Sequence, residues 1–97
     1  MNYRNESTER LFSVIAGLKD ENECAMFFED LCTIKEIQDM AQRLETAVLL
    51  NSGENYQNIS AKVGASSATI SRVNRSLQYG CDGYDKIFER IKEEENE

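Results

Sequence analysis

Apolar residues recur along this chain at three- and four-residue intervals over most of its length, the spacing that lines them up on single faces of helices. Leu11, Phe12, Ile15 and Leu18 form the first such run; Asn5, Ser7 or Thr8 can cap it, Gly17 weakens it and Lys19-Asp20 ends it. Asn22 is placed to cap a second helix, in which Met26, Phe27, Phe28 and Leu31 give a broad apolar surface for so short a segment. Thr33 and Glu36 then have the spacing of a capping box, in which hydroxyl and carboxylate each accept an otherwise unpaired helix N–H. Ile37, Met40, Ala41, Leu44, Ala47, Val48 and Leu50 carry the period onward to a turn at Asn51-Ser52-Gly53, making this third helix the longest.

Two shorter helices follow. Asn55 caps one with Tyr56, Ile59 and Val63 turned inward, and Gly64 stops it by adopting the left-handed conformation. Ser66 or Ser67 caps the next, where Ile70, Val73 and Leu77 make a buried stripe. Ser60 or Ala61, one turn before Gly64, is expected to be the small residue that a close helix crossing needs. After Gly80-Cys81-Asp82-Gly83, a last helix opens at Asp82 or Gly83 and sets Tyr84, Ile87, Phe88 and Ile91 on one face. The acidic run Glu93 to Glu97 reads as a solvated, fraying end. The pattern predicts an all-α fold of about six helices in a single domain, residues 1–97. Residues 1–53 would hold dimerisation helices, 54–79 a helix-turn-helix and 83–95 the C-terminal helix. The first three helices offer more apolar surface than the small C-terminal half can cover, so a homodimer is expected.

Composition agrees with helices: the 97 residues include no proline and five glycines. A chain of this length supports one modest core. Cys24, Cys32 and Cys81 are odd in number, lack a C-x-x-C spacing and have no histidine to join them, so no zinc site or other cofactor is expected and the thiols read as buried or incidental. The same absence of histidine removes the usual partner of a Ser or Cys nucleophile, and no Gly-rich phosphate loop is present; an enzyme is not expected. Ala47 to Leu50 and Ala25 to Phe28, the longest apolar stretches, are far too short to span a membrane. The polar N-terminus lacks the features of a signal peptide, and a cytoplasmic location is expected.

A net charge of −7 argues against nucleic acid, since affinity for DNA rests largely on cations neutralising phosphates. Its distribution reverses that argument. From Asn55 to Cys81 the chain carries Lys62, Arg72 and Arg75 and no acidic residue. With Ile70, Val73 and Leu77 inward, the second short helix presents Ser67, Ala68, Thr69, Ser71, Arg72 and Arg75 outward, with Ser66 at its start. Small hydroxyl and methyl groups there can approach base edges, and the free N–H groups of a helix N-terminus favour a phosphate. Arg72 and Arg75 can reach guanine or backbone, and Tyr56, Gln57 and Lys62 on the preceding helix are placed for phosphates. Three cations per subunit are few, so double-stranded DNA calls for two subunits with reading heads roughly 34 Å apart.

At these residues the sequence resembles the Trp repressor superfamily, and within it the Trp-repressor-related YerC/YecD-type regulators. Val63-Gly64-Ala65-Ser66-Ser67-Ala68-Thr69-Ile70-Ser71-Arg72 is similar to the family's Leu-Gly-Ala-x-x-Ala-Thr-Ile-Thr-Arg signature, and Ser76-Leu77 to the Ser-Leu that follows it. A weaker similarity reaches back to Thr33 through Gln42-Arg43-Leu44. The resemblance implies an intertwined homodimer from which two helix-turn-helix heads project, acting as a transcriptional regulator, more specifically a repressor on a pseudo-palindromic operator. It also implies a small-molecule pocket in which Arg72, Arg43 (with a one-residue shift) and Ser76 match positions that hold tryptophan in the family's namesake. Val73 departs from the pattern: it stands where the namesake has glycine, fills the space of the indole ring, and leads us to expect no tryptophan binding. Two other readings compete. One is a helical module that binds an acidic protein partner instead of DNA, the other a thiol sensor built on Cys24, Cys32 or Cys81.

Overall fold

In a computed structural model, which describes residues 2–96, the chain forms α1 (Glu6–Ala16), α2 (Glu21–Leu31), α3 (Ile34–Asn51), α4 (Tyr56–Val63), α5 (Ser67–Tyr79) and α6 (Gly83–Glu95), with no strand among the described residues. The expected all-α class and helix number are both found. The chain divides into two units, Met1–Ile37 and Gln38–Glu97.

In the first unit the helix starts are set by side-chain caps. Asn5 Oδ1 accepts from the Thr8 N–H at 2.9 Å, and Thr8 Oγ1 accepts from the Asn5 N–H at 2.8 Å, a reciprocal pair that opens α1. Arg4 lies against the same turn, donating to both carboxylate oxygens of Glu9 at 2.6 and 3.0 Å, with its guanidinium 5.6 Å from the centre of the Phe12 ring. The helix stops at Ala16, earlier than expected, with Gly17 as its C-cap, and Asp20 does not end α1 but opens α2: its side chain accepts from the Glu23 N–H at 2.8 Å. Asn22, the expected cap, instead lies within the first turn of α2. Asp20 is followed three residues later by Glu23, and a carboxylate there also meets the positive end of the helix dipole. Neither α1 nor α2 has a buried residue among those described; Phe12, Val14, Met26 and Leu31 are exposed, and Leu11, Ile15 and Leu18 are only half-buried. Apolar residues at helical spacing thus exist here without a core to receive them.

The capping box that starts α3 is present: the Thr33 N–H donates to Glu36 Oε1 at 2.8 Å and the Glu36 N–H to Thr33 Oγ1 at 3.1 Å. These bonds favour the ionised form, so the Glu36 carboxyl is held below its ordinary range, chiefly by the Thr33 backbone.

The second unit has a core. Ala47, Ile59, Ala65, Ile70 and Val73 are buried, and Leu49, Leu50 and Val63 pack against the Ile59, Ala65 and Ile70 cluster. Full burial of Ile59 and Ile70 contributes about 1.5–3 kcal/mol each. Thr46 is the buried polar side chain among the described residues, and its hydroxyl donates to the Gln42 carbonyl one turn earlier at 2.7 Å. At the end of α3 the chain turns through Gly53, whose φ of +91° suits glycine. The Gly53 N–H donates to the Leu50 carbonyl and the Glu54 N–H to the Leu49 carbonyl, both at 3.1 Å, the two bonds of a Schellman motif. In α6, Tyr84 and Phe88 stack with ring centres 6.0 Å apart, while Asp82 enters the helix with φ +65° and makes no side-chain cap bond. Among the described residues no helix is long and apolar enough to cross a membrane.

Candidate nucleic-acid interface

The second unit presents the residues singled out by the sequence on α4 and α5. Asn55 opens α4 by accepting from the Asn58 N–H at 2.9 Å. At the other end Gly64 takes φ +73° and donates its N–H to the Ser60 carbonyl at 2.9 Å, as expected of a left-handed stop. Ser66 then caps α5, accepting from the Thr69 N–H at 3.2 Å, and its hydroxyl pairs with the Thr69 hydroxyl at 3.1 Å. The small residue buried beside the turn is Ala65, whereas Ser60 and Ala61 are exposed. The expectation for those two is corrected: the close approach occurs at the turn itself, where Ala65 packs with Ile59 and Ile70.

Ile70 and Val73 anchor α5 to the core, and Leu77 is half-buried on the same stripe. This fixes the outward face. Ser67, Ala68, Ser71, Arg72 and Arg75 are exposed, while Thr69 is half-buried behind the Ser66 cap. Ala68, Ser71, Arg72 and Arg75 line one depression of about 220 Å³. No acidic residue occupies the first turn of α5, so the positive end of its helix dipole is uncompensated there. Among the described residues neither Arg72 nor Arg75 is paired with a carboxylate.

On α4, Gln57 and Lys62 are exposed, and Tyr56 is at the surface with 38% of its area accessible, not turned inward with Ile59. Tyr56 is the first residue of the helix, where its ring lies beyond the core cluster. Lys62 is not an open cation. Its Nζ donates to Glu54 Oε1 at 3.1 Å, and Asn58 Nδ2 donates to Glu54 Oε2 at the same distance. These bonds, Asn58 first and Lys62 second, hold the Glu54 carboxyl below its ordinary range. The sequence reading missed Glu54 because the acid-free stretch begins one residue after it; the signal was the Glu54, Asn58, Lys62 series at four-residue spacing.

The three residues matched to an effector pocket lie on α3 and α5. Arg72 belongs to the depression on the outer face of α5, whereas Ser76 lines a different cavity of about 430 Å³ with Leu44, Leu77, Tyr84 and Ile87, and Arg43 is exposed on α3. Val73 is 2% exposed and occupies the interior of the unit. Cys24 and Cys32 are half-buried and Cys81 exposed, all as free thiols.

A family described as Trp repressor protein matches residues 6–92, a span that includes every position discussed on α3, α4 and α5. The chain belongs to the Trp repressor family. The family is one of DNA-binding regulators, not of enzymes. The chain is 52% identical over 94 residues to the protein YerC of Bacillus subtilis (strain 168), described as uncharacterized, covering 97% of this chain and 90% of that protein. It is also similar to a TrpR-like protein of Eubacterium eligens ATCC 27750, with a TM-score of 0.90, 53% identity and 92% of each chain covered. A solved structure from Staphylococcus aureus gives a TM-score of 0.89 at 46% identity, covering 92% of this chain and 89% of that one. These agree with the YerC-type resemblance read from Val63 to Arg72. As a Trp repressor family member, the chain carries its most recognisable sequence, Val63 to Arg72, across the turn between α4 and α5, with Ala65 and Ile70 in the core and Ser67, Ala68, Ser71 and Arg72 open to solvent.

Proposed function

We propose that this Trp repressor family member is a cytoplasmic transcriptional repressor that reads a pseudo-palindromic operator in double-stranded DNA as a homodimer. The observation that carries the reading is the exposed face of α5, where Ala68, Ser71, Arg72 and Arg75 share one acid-free depression beside a Ser66-capped helix start. In this reading α4 and α5 form a helix-turn-helix, and the N-terminal part of α5 enters the major groove. Ser67, Ala68, Thr69 and Ser71 meet base edges, Arg72 and Arg75 reach guanine or phosphate, and Ser66, Tyr56, Gln57 and Lys62 contact the backbone.

The homodimer rests on the first unit, whose helices bury nothing among the described residues while exposing Phe12, Val14, Met26 and Leu31. Residues 1–53 would supply the shared core and 83–95 a C-terminal helix flanking the heads. A second subunit covers that surface and doubles the cations offered to DNA. Tryptophan is not the effector in this proposal, because Val73 is packed into the interior where an indole would need room.

Selection of bound duplexes from random-sequence DNA, followed by footprinting and a salt titration, tests the reading. A two-fold symmetric protected site with steeply salt-dependent affinity is expected. A chain that leaves duplexes unprotected at low salt but captures an acidic protein partner would replace it with an interaction module.

A further inference from the structure

The three cations of the α4 and α5 region are not equivalent. Among the described residues Arg72 and Arg75 face solvent without a carboxylate, whereas Lys62 is held by Glu54. Glu54 is itself fixed at both ends. Its backbone N–H closes the Schellman motif onto the Leu49 carbonyl, directly after Gly53, so its position is set by the end of α3. Its carboxylate spans two turns of α4, taking Asn58 Nδ2 on one oxygen and Lys62 Nζ on the other, both at 3.1 Å. The residue at this place of a Schellman motif commonly makes an apolar contact back to the helix. Here a glutamate occupies it, with 28% of its side chain accessible against 55% for Lys62.

We infer that Glu54 is an internal competitor for DNA phosphate, which holds Lys62 in the free protein and lowers the affinity of each reading head for duplex. The inference rests on the DNA-binding reading given above. A carboxylate and a phosphate make the same demand on an ammonium group, namely charge-assisted acceptance of its N–H donors. Lys62 therefore must leave Glu54 before it neutralises a phosphate. The carboxylate left behind also stands close to the DNA backbone and repels it. With only three cations per head, restraint of one of them removes a large share of the sequence-independent attraction, while Arg72 and Arg75 keep their access to base edges. The consequence is a head that discriminates more than it clings: non-specific affinity is trimmed and specific contacts are spared.

The test compares wild-type chain, Glu54→Gln, Lys62→Gln and the double variant on one duplex selected from random-sequence DNA, each over a range of salt. Glutamine keeps an acceptor for Asn58 and removes the charge. Glu54→Gln is expected to bind roughly threefold more tightly per head, with a log-log salt dependence steeper by about 0.9 per head. In the Lys62→Gln background, the same change should give no steepening. Glu94→Gln, which removes an equal charge at the exposed end of α6, should leave the slope unchanged. A purely structural role for Glu54 would show as lost helix content with no steepening, and that result overturns the inference. So does a Glu54→Gln gain that persists without Lys62. If wild type binds duplex and Arg72→Ala weakens it while Glu54→Gln changes nothing, this inference fails and the DNA-binding reading stands; if no variant binds duplex, both fall.

Discussion

Gln42 reaches 21 positions along the chain to donate its side-chain amide to the Val63 carbonyl at 3.1 Å. Val63 is the last residue of α4, so its carbonyl is one of those a helix end leaves without an internal partner. A residue of α3 thereby completes the hydrogen bonding of the helix that leads into the turn at Gly64. Gln42→Ala is expected to destabilise the second unit by about 1–2 kcal/mol, leaving a part-buried acceptor unpaired. Chemical denaturation should show the loss, and amide exchange of Gly64 should rise with it; unchanged protection at the α4 end would mean that solvent replaces Gln42 at no cost.

Gly64 is constrained by its backbone and not by its surroundings. A Cβ at this position would have Gln42 Nε2 as its nearest neighbour at an ordinary 3.9 Å, yet φ is +73°. Gly64→Ala should therefore cost about 1–2 kcal/mol through the left-handed conformation alone. Gly64→Asn should cost visibly less, since asparagine tolerates that region. Equal losses for the two variants in thermal unfolding would point to crowding instead of backbone strain.

The helix starts were legible where the capping signal was clear: the Thr33 and Glu36 pair and Asn55 cap the helices expected of them, and Asn5 and Ser66 are the ones that act among the alternatives Asn5, Ser7 or Thr8 and Ser66 or Ser67. At α2 the reading gave Asp20 to the end of α1 and the cap to Asn22, whereas it is Asp20 that accepts from the Glu23 N–H. The outward face of α5 was readable because Ile70 and Val73 leave it no alternative. The restraint on Lys62 was not read, because it depends on a side chain placed by the end of α3, just outside the stretch whose charge was counted.

Arg72 and Arg75 are exposed, and Ile70 and Val73, not the arginines, tie α5 to the core. Arg72→Ala and Arg75→Ala should each weaken duplex binding about tenfold or more without change in helix content or subunit association. A base-edge role shows as relaxed preference at one operator position, a phosphate role as a salt slope shallower by about 1. Two variants that bind as tightly as wild type would place the DNA contacts elsewhere.

Ile70 is fully buried in the cluster with Ile59 and Ala65. Ile70→Ala removes methyl groups from a core with few large side chains and is expected to cost about 2–5 kcal/mol. For a domain of this size that is a large part of the total. Binding to duplex should fall in step with the folded fraction, and lowering temperature toward the stability maximum should recover both together. Lost binding with an unaltered denaturation midpoint would show that Ile70 does more than pack.

The Thr33 and Glu36 box gives α3 an acid-sensitive start. Glu36 accepts the Thr33 N–H in its ionised form, and its carboxyl is held below the ordinary range mainly for that reason. A carboxyl whose folded-state pKa is depressed adds stability that is complete above its unfolded value, about 4.3, and is lost as pH falls through the lower folded-state value. Wild type should therefore lose helix content at the N-terminal end of α3 below about pH 4. Glu36→Gln retains an amide oxygen to accept from Thr33 but cannot titrate. Helix content and unfolding midpoint, followed for both proteins from neutral pH downward, should differ most at neutral pH in favour of wild type and converge in acid. If the difference between them stays constant down to the acid limit, ionisation of Glu36 contributes nothing to the helix start and the hydrogen bonds alone sustain it.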